Sequence, residues 1–356
     1  MIPSGVGAEG AIPKLSKADE KHLLRDGVQW AVTQGYGRPQ DLDYTEEGGR
    51  LQSADPELLS DRALERGLKQ VGTLGSGNHF LEIGRVDEIH LPQIAQSLNL
   101  SHDQVVVLIH TGSRGLGYQT CEDSLKVMNQ AMTKYSIHLP DRQLACTPIK
   151  SPEGKNYLAS MAAAANYAWI NRQVIMSRAE EAFLRALDIS PKELGFSLIY
   201  DVCHNIAKIE EHVVDGERRR LCVHRKGATR AFPPHHPQIP KAYQEIGQPI
   251  LIPGDMGRYS YLLVGTETAM EKTFGSTCHG AGRVMSRAQS KKESRGINID
   301  QEMARLGVVA RYQGRATMAE EMPHAYKDVA DVVETMEQAG ISKRVARFRP
   351  VGVIKG

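Results

Sequence analysis

The Ala- and Met-rich run from Asn156 to Leu187 constrains this chain most, because its residues favour a single long helix. A helix of that kind needs cover, and the short continuous apolar runs around it read as buried strands. These are Val105–Ile109, Phe196–Val202, Pro249–Ile252 and Tyr259–Val264. Helices and strands mixed in this order predict an α+β fold, with mixed sheets and surrounding helices. No internal repeat, low-complexity tract or Pro/Ser linker divides the chain, so residues 1–356 read as one compact domain.

Smaller signals fill in the rest. Ser16 is a candidate N-cap for a helix from Lys17 to Val32, with Leu23, Leu24, Val28 and Trp30 at near-helical spacing and Gly35 as the stop. Residues 57–70 read as a charged helix, ended by the flexible turn Gly72–Gly77. Glu211–Val214 and Arg220–His224 flank Asp215-Gly216, a hairpin signal. A helix over 324–339 and a strand toward Val353–Gly356 close the chain.

Composition narrows the class. The apolar share of 41% and charged share of 24% are those of an ordinary globular protein, and no run approaches the roughly 20 apolar residues of a membrane span. Met1–Gly7 has neither a basic region nor an apolar core, so no secretory signal is expected there. The cysteines Cys121, Cys146, Cys203, Cys222 and Cys278 stand singly, which fits reduced thiols in the cytosol better than a disulfide framework or a structural zinc site. A net charge of +2 does not mark a nucleic-acid binder by itself. Arg218–Arg220, Arg225-Lys226 and Arg230 nevertheless crowd one stretch, and Lys291-Lys292 with Arg295 another; charge alone favours reading both as solvated faces.

The chemistry gathers at histidines. His79 lies in a Gly-Ser-Gly-Asn-His turn, His110 ends an apolar run, and His204 follows another. Strand ends beside Gly-rich turns are where polar groups converge on ligands, and imidazole suits several transition metals. Their spacing matches no recognised signature, and each also fits a structural role with its ring nitrogens satisfied by backbone groups. His279 stands between Cys278 and Gly280 in Gly275–Arg283, where backbone N–H groups can approach an anion and Arg283 can pair with phosphate. An unprotonated imidazole there is a candidate nucleophile toward phosphorus, or simply a helix cap. His110–Gly117 resembles an anion-binding loop, but no G-x-x-x-x-G-K-[ST] is present, so any nucleotide is held without a P-loop.

Several motifs in series carry a resemblance: Gly75–Glu82, His110–Gly115, Asp201–Asn205, Val223–Gly227, Phe232–Pro237, Cys278–Arg283 and Val353–Gly356. Together they resemble the RtcB family of RNA-splicing ligases from Ile2 to Gly356. The resemblance implies the α+β fold of that family, two manganese ions and GTP. By matched position, His79, His110 and His204 would be metal ligands and His279 the residue that becomes guanylylated. It implies a nucleotide site of Asn78, His79, Phe80, Leu81, Glu82, His204, Asn205, Ser260, Tyr326 and Lys355, with Tyr326 and Lys355 at the guanine. The loops Pro253, Gly254, Asp255, Met256 and Gly280, Ala281, Gly282 would follow the phosphates. RNA would meet Arg225, Lys226, Arg230 and Arg283.

The implied activity joins an RNA 3'-phosphate or 2',3'-cyclic phosphate to a 5'-hydroxyl, tRNA halves included, in the cytoplasm, with a nuclear pool if the source is eukaryotic. An archease-type activator and a tRNA-ligase complex are the implied partners, and no membrane is. Two departures from the family pattern stand out. The family begins upstream of Ile2, with a segment carrying an Asp and a Cys that complete the metal site, and Asp255 stands where the family usually has Ser or Thr. A carboxylate facing phosphates would repel them unless a cation intervenes. The alternative is a catalytically impaired paralogue that binds RNA or a ligase complex.

Overall fold

The computed structural model describes residues 2–356 apart from Leu68 and Arg142. Its centre is α6, Pro152–Leu187, capped by the Ser151 side chain accepting from the Gly154 N–H at 3.0 Å. The Ala-rich middle of α6 is buried on every side, packing Tyr167, Ile170 and Val174 against Leu23, Trp30 and Leu116.

The expected helix over Lys17–Val32 is two helices, α1 Lys17–Asp26 and α2 Val28–Thr33. Gly27 breaks them at φ 61°, and a Cβ there would lie 2.1 Å from the Gly49 carbonyl oxygen. Of the expected helix over 57–70, a 3-10 turn at Pro56–Leu58 and α3, Asp61–Gly67, are present, and Leu68 lies outside the described residues. The tail likewise divides into a 3-10 turn at Pro323–Ala325 and a helix at Val329–Gln338. Two further helices flank the first sheet strands, α4 Pro92–Ser97 and α5 Arg114–Lys134.

A six-stranded sheet contains β1 Phe80–Ile89, β2 Val105–His110, β5 Pro249–Pro253, β6 Ser260–Gly265, β8 Val309–Tyr312 and β9 Ser342–Lys355. The strands lie in the order β2-β1-β9-β6-β5, antiparallel throughout, while β8 runs parallel to β9. The second sheet is β3 His204–Val214, β4 Glu217–Arg230 and β7 Ser276–Cys278. The hairpin read at Asp215-Gly216 is present, with both residues at positive φ as a tight two-residue turn requires. Mixed helices and antiparallel sheets bear out the α+β expectation.

Two strand expectations change. β2 is half-buried rather than buried, with Val105 59% exposed, because it is a sheet edge facing a cavity of about 1490 Å³. Phe196–Val202 joins neither sheet; only Asp201 forms a bridge, to Thr45. An apolar run carries no information on whether a neighbouring strand will pair with it.

The basic stretch of β4 also reads differently in three dimensions. Arg225 is buried and grips Glu210 through two hydrogen bonds of 2.6 and 2.8 Å. Arg230 is buried against Glu46 and Glu47 at 3.2 and 2.8 Å. Burial disfavours the Glu46 charge, yet Lys208 and Arg230 beside it bring its pKa down to about 2. Arg225 therefore ties β4 to β3 and Arg230 ties β4 to the turn at Glu46 and Glu47, and both are removed from the RNA-facing set, while Arg218, Arg219, Arg220 and Lys226 stay exposed. Breaking a buried pair strands a charge, so Arg225→Met should destabilise the fold by roughly 3–5 kcal/mol, and adding Glu210→Leu should recover much of that. Chemical denaturation of the two variants checks it, and equal losses in single and double variants would contradict the pairing argument.

Candidate active site

Strand register builds the site. In the first sheet, Phe80 of β1 faces His110 of β2 on one side and Lys355 of β9 on the other. Residues opposite each other in antiparallel strands share a face, so these side chains form one row at the sheet end. Alternation puts Glu82 on that face, whereas Leu81 turns to a core of Leu74 and Ile175 and offers a nucleotide only its backbone. In the second sheet, His204 begins β3 and His279 follows β7 directly. The two sheet ends meet here: the His204 ring lies 5.2 Å from that of His110 and 4.5 Å from that of His279.

The four histidines therefore converge although they lie up to 200 positions apart in the chain, from His79 to His279. The Nε2 atoms of His110 and His204 face each other at 3.0 Å, and the His79 ring centroid is 6.3 Å from that of His110. Nitrogens each ~2.1 Å from one cation and subtending about a right angle stand ~3 Å apart, so this pair suits a shared divalent ion. Burial first, then neighbouring cations and imidazoles, lowers the pKa of His79 and His110 to about 3 and of His204 to about 2. The rings are neutral at physiological pH, as metal ligation requires. His79 Nδ1 is occupied, since the Gly75 N–H donates to it at 3.1 Å and Thr111 Oγ1 lies at 2.9 Å, leaving Nε2 for a ligand.

Anionic donors are another matter. Among the described residues, no group of three or more His, Cys, Asp or Glu side chains closes into a coordination set. Asp201 is tied to Arg172 at 2.7 Å, and burial drives the Cys203 thiol up to about 11, away from a thiolate. The His110–His204 pair suits a divalent cation, then, but neither it nor His79 supplies negative charge, and the three rings do not close into a full coordination set by themselves.

Around His279 the chain forms a shallow cradle. The Ala281 N–H donates to the Pro253 carbonyl at 3.1 Å, joining the loops 280–282 and 253–257. Burial, then Lys226, lowers the His279 pKa, which leaves its ring unprotonated near neutrality. Met256 and Ala281 pack inward and stiffen the two loops. Asp255 does not confront this cradle with a bare charge. Its carboxylate accepts from the N–H groups of Gly257 and Arg258 at 3.0 and 3.1 Å and from Arg258 Nε at 2.5 Å. Arg258 is the cation the sequence left unassigned, and it continues to the carbonyls of Pro323 and Tyr326.

At the far end Lys355 is buried, donates to the Gly77 carbonyl at 3.2 Å and lies 3.7 Å from Glu321. Tyr326 hydrogen-bonds the same Glu321, and Arg283 reaches both at 3.2 Å. Arg283 also donates to the Glu320 and Met285 carbonyls, so it braces Tyr326 and is not free to hold RNA. Asn205 accepts from the Gly227 N–H at 3.1 Å, and exposed Asn78 lines the cavity mouth. Glu321, Arg258, Asn171 and Arg172 were missed in the sequence, where a lone Glu, Asn or Arg in a helix or loop gives no signal.

Glu82 is buried and accepts a hydrogen bond from Ser260 Oγ at 3.2 Å, and burial pushes its pKa up to about 7. Its folded value lies above the ordinary 4.5, so the stabilisation from its tighter proton is full below pH 4.5 and lost as pH rises through about 7. Relative to Glu82→Gln, the wild type should lose on the order of 3 kcal/mol of stability across that window. Denaturation of both proteins at several pH values reads this, and parallel pH profiles would refute it.

Known proteins resemble this chain along its whole length. The RtcB family model, described as tRNA-splicing ligase RtcB, matches residues 1–356. The tRNA-splicing ligase RtcB of Archaeoglobus fulgidus is 54% identical over 355 residues, covering 100% of this chain and 73% of the relative. That of Pyrococcus abyssi is 52% identical over 355 residues, covering 100% of this chain and 39% of the relative. That of Methanocaldococcus jannaschii is also 52% identical, and there the chain spans 37% of the relative. No helix among the described residues is long and apolar enough to cross a membrane. With a family match along its full length and half its residues shared with curated relatives, the chain belongs to the RtcB family of tRNA-splicing ligases.

Proposed function

We propose that this chain carries the catalytic centre of a GTP-dependent RNA ligase, joining RNA 3'-phosphate or 2',3'-cyclic phosphate ends to 5'-hydroxyl ends through a guanylylated His279. The observation that carries the reading is the His279 ring set 4.5 Å from that of His204, on a loop tied to 253–257 by the Ala281 N–H to Pro253 carbonyl hydrogen bond. A ring nitrogen lone pair attacks the α-phosphorus of GTP, an N–P bond forms, and the P–O bond to pyrophosphate breaks. A 2',3'-cyclic phosphate end is first opened by water, which breaks the P–O2' bond and leaves a 3'-phosphate. An oxygen of the RNA 3'-phosphate then attacks the guanylyl phosphorus, the N–P bond breaks and His279 is freed. Finally the 5'-hydroxyl attacks the activated RNA phosphorus and GMP leaves.

Manganese held by His79, His110 and His204 would neutralise charge developing on the phosphoryl oxygens. The chain's own residues account for the rest. The loops 253–257 and 280–282 offer backbone N–H groups to phosphates, and the Asp255 charge is taken up by Arg258. At the base, Tyr326 and Lys355 would meet the guanine, the Lys355 ammonium donating to its carbonyl oxygen. The substrate would be RNA ends such as tRNA halves, with an archease-type activator as partner. The second reading, an impaired paralogue that only binds RNA, draws on the neutral histidine set.

Incubation with manganese and α-labelled GTP should give an acid-labile adduct on His279, with the Archaeoglobus fulgidus relative run beside it for scale. Label surviving in His279→Ala would overturn the assignment, and a folded wild type that never labels would favour the binding paralogue.

RNA binding should weaken with rising salt, and Lys226→Ala should reduce the salt slope by about 1. An unchanged slope would return Lys226 to the solvated surface.

A further inference from the structure

Three segments that carry the histidines lack regular secondary structure: 72–75 before His79, 111–112 after His110, and 202–203 before His204. Their backbones are buried or half-buried, and their polar groups need partners. Two consecutive residues of α6 supply many of them. Asn171 Oδ1 accepts from the N–H groups of Gly72 and Thr73 at 2.7 and 3.0 Å, and its Nδ2 donates to the carbonyls of Thr73 and Gly112 at 3.1 and 3.0 Å. Arg172 donates through Nε to Asp201 at 2.7 Å, through Nη1 to the Thr111 carbonyl at 3.0 Å, and through Nη2 toward Cys203 Sγ at 3.6 Å.

Neighbouring residues on a helix point about 100° apart, so one pair can serve three segments only where the helix is enclosed all round. α6 is enclosed there: Asn171 is fully buried and the Arg172 side chain is 11% exposed. Thr111, whose carbonyl Arg172 holds, presents its own hydroxyl to His79 Nδ1. Glu46 braces the same region from the opposite side, accepting the Cys203 N–H at 3.0 Å.

We infer that Asn171 and Arg172 are positioning residues, which set the mutual placement of His79, His110 and His204 without touching what those rings bind. Any consequence for a cation rests on the metal part of the proposed function. The fixed 3.0 Å approach of the His110 and His204 nitrogens follows from this strut, because Arg172 joins the residue after one to the residues before the other. A planar guanidinium can serve three acceptors at once, which the ammonium of lysine matches in charge but not in shape.

The test uses the full chain without metal and then with Co²⁺. Arg172→Met and Asn171→Leu remove the contacts; Arg172→Lys and Asn171→Ser are milder variants that keep the proposal testable should those two not fold. Tyr167→Phe, which loses a buried hydrogen bond to the Gly67 carbonyl elsewhere on α6, is the control for general destabilisation. Histidine-selective ¹⁵N NMR on the metal-free proteins should show shifted ring signals for His79, His110 and His204 in the Asn171 and Arg172 variants but not in the control. Co²⁺ titration by visible absorption should show affinity about 10–100-fold lower, with Arg172→Lys between wild type and Arg172→Met. Unshifted ring signals and unchanged Co²⁺ affinity in variants with lowered Tm would overturn the inference and leave a packing role alone. Shifted ring signals in a protein whose wild type binds no Co²⁺ would support positioning and overturn the metal reading instead.

Discussion

Everything at this site follows from keeping unprotonated imidazoles and unpaired backbone groups out of water. Desolvation disfavours a charged ring, so His79, His110 and His204 stay neutral and available as donors. The same desolvation makes every unsatisfied N–H or C=O near them costly, which is why polar side chains of α6 reach outward into the loops. A helix surrounded by protein usually has apolar residues all round. Here Asn166, Asn171, Arg172 and Gln173 interrupt that pattern, and each meets a partner in a different segment.

Charge is handled in the same way across the molecule. Glu210 with Arg225 and Glu46 with Lys208 and Arg230 are buried pairs whose partners come from different turns or strands, whereas Asp255 and Arg258 pair within one turn. Pairs of this kind contribute little net stability but penalise any arrangement that separates them. They therefore fix β3 and β4 to each other and to the turn at Glu46, and hold the 255–258 turn in shape. Arg258 is the most informative, because one guanidinium links the loop at Asp255 to the segment carrying Tyr326. A residue that looks repulsive in the sequence is thereby neutral in place.

How much could be read in advance depended on the kind of information involved. α6, the Asp215-Gly216 hairpin and the strands at 249–253 and 260–265 follow from local propensity and periodicity, which neighbouring residues determine among themselves. Phe196–Val202 failed as a strand because pairing depends on what runs alongside, and Lys17–Val32 divided because Gly27 approaches the Gly49 backbone too closely for any side chain. Arg225 and Arg230 looked like a nucleic-acid surface because a strand's alternation does not say which face meets protein.

Sequence by itself determined the family, the α+β class and the identity of the four histidines, since motif order and residue type are written in the chain. Tertiary structure alone decided that the ends of two separate sheets meet, bringing His110 to His204 and His204 to His279. It also decided which charges face each other, making Arg258 the partner of Asp255 and Glu321 the common partner of Tyr326, Arg283 and Lys355. The physical reason is range: propensity and patterning act over a few residues, whereas desolvation and ion pairing act through space between segments that the chain separates by a hundred residues or more.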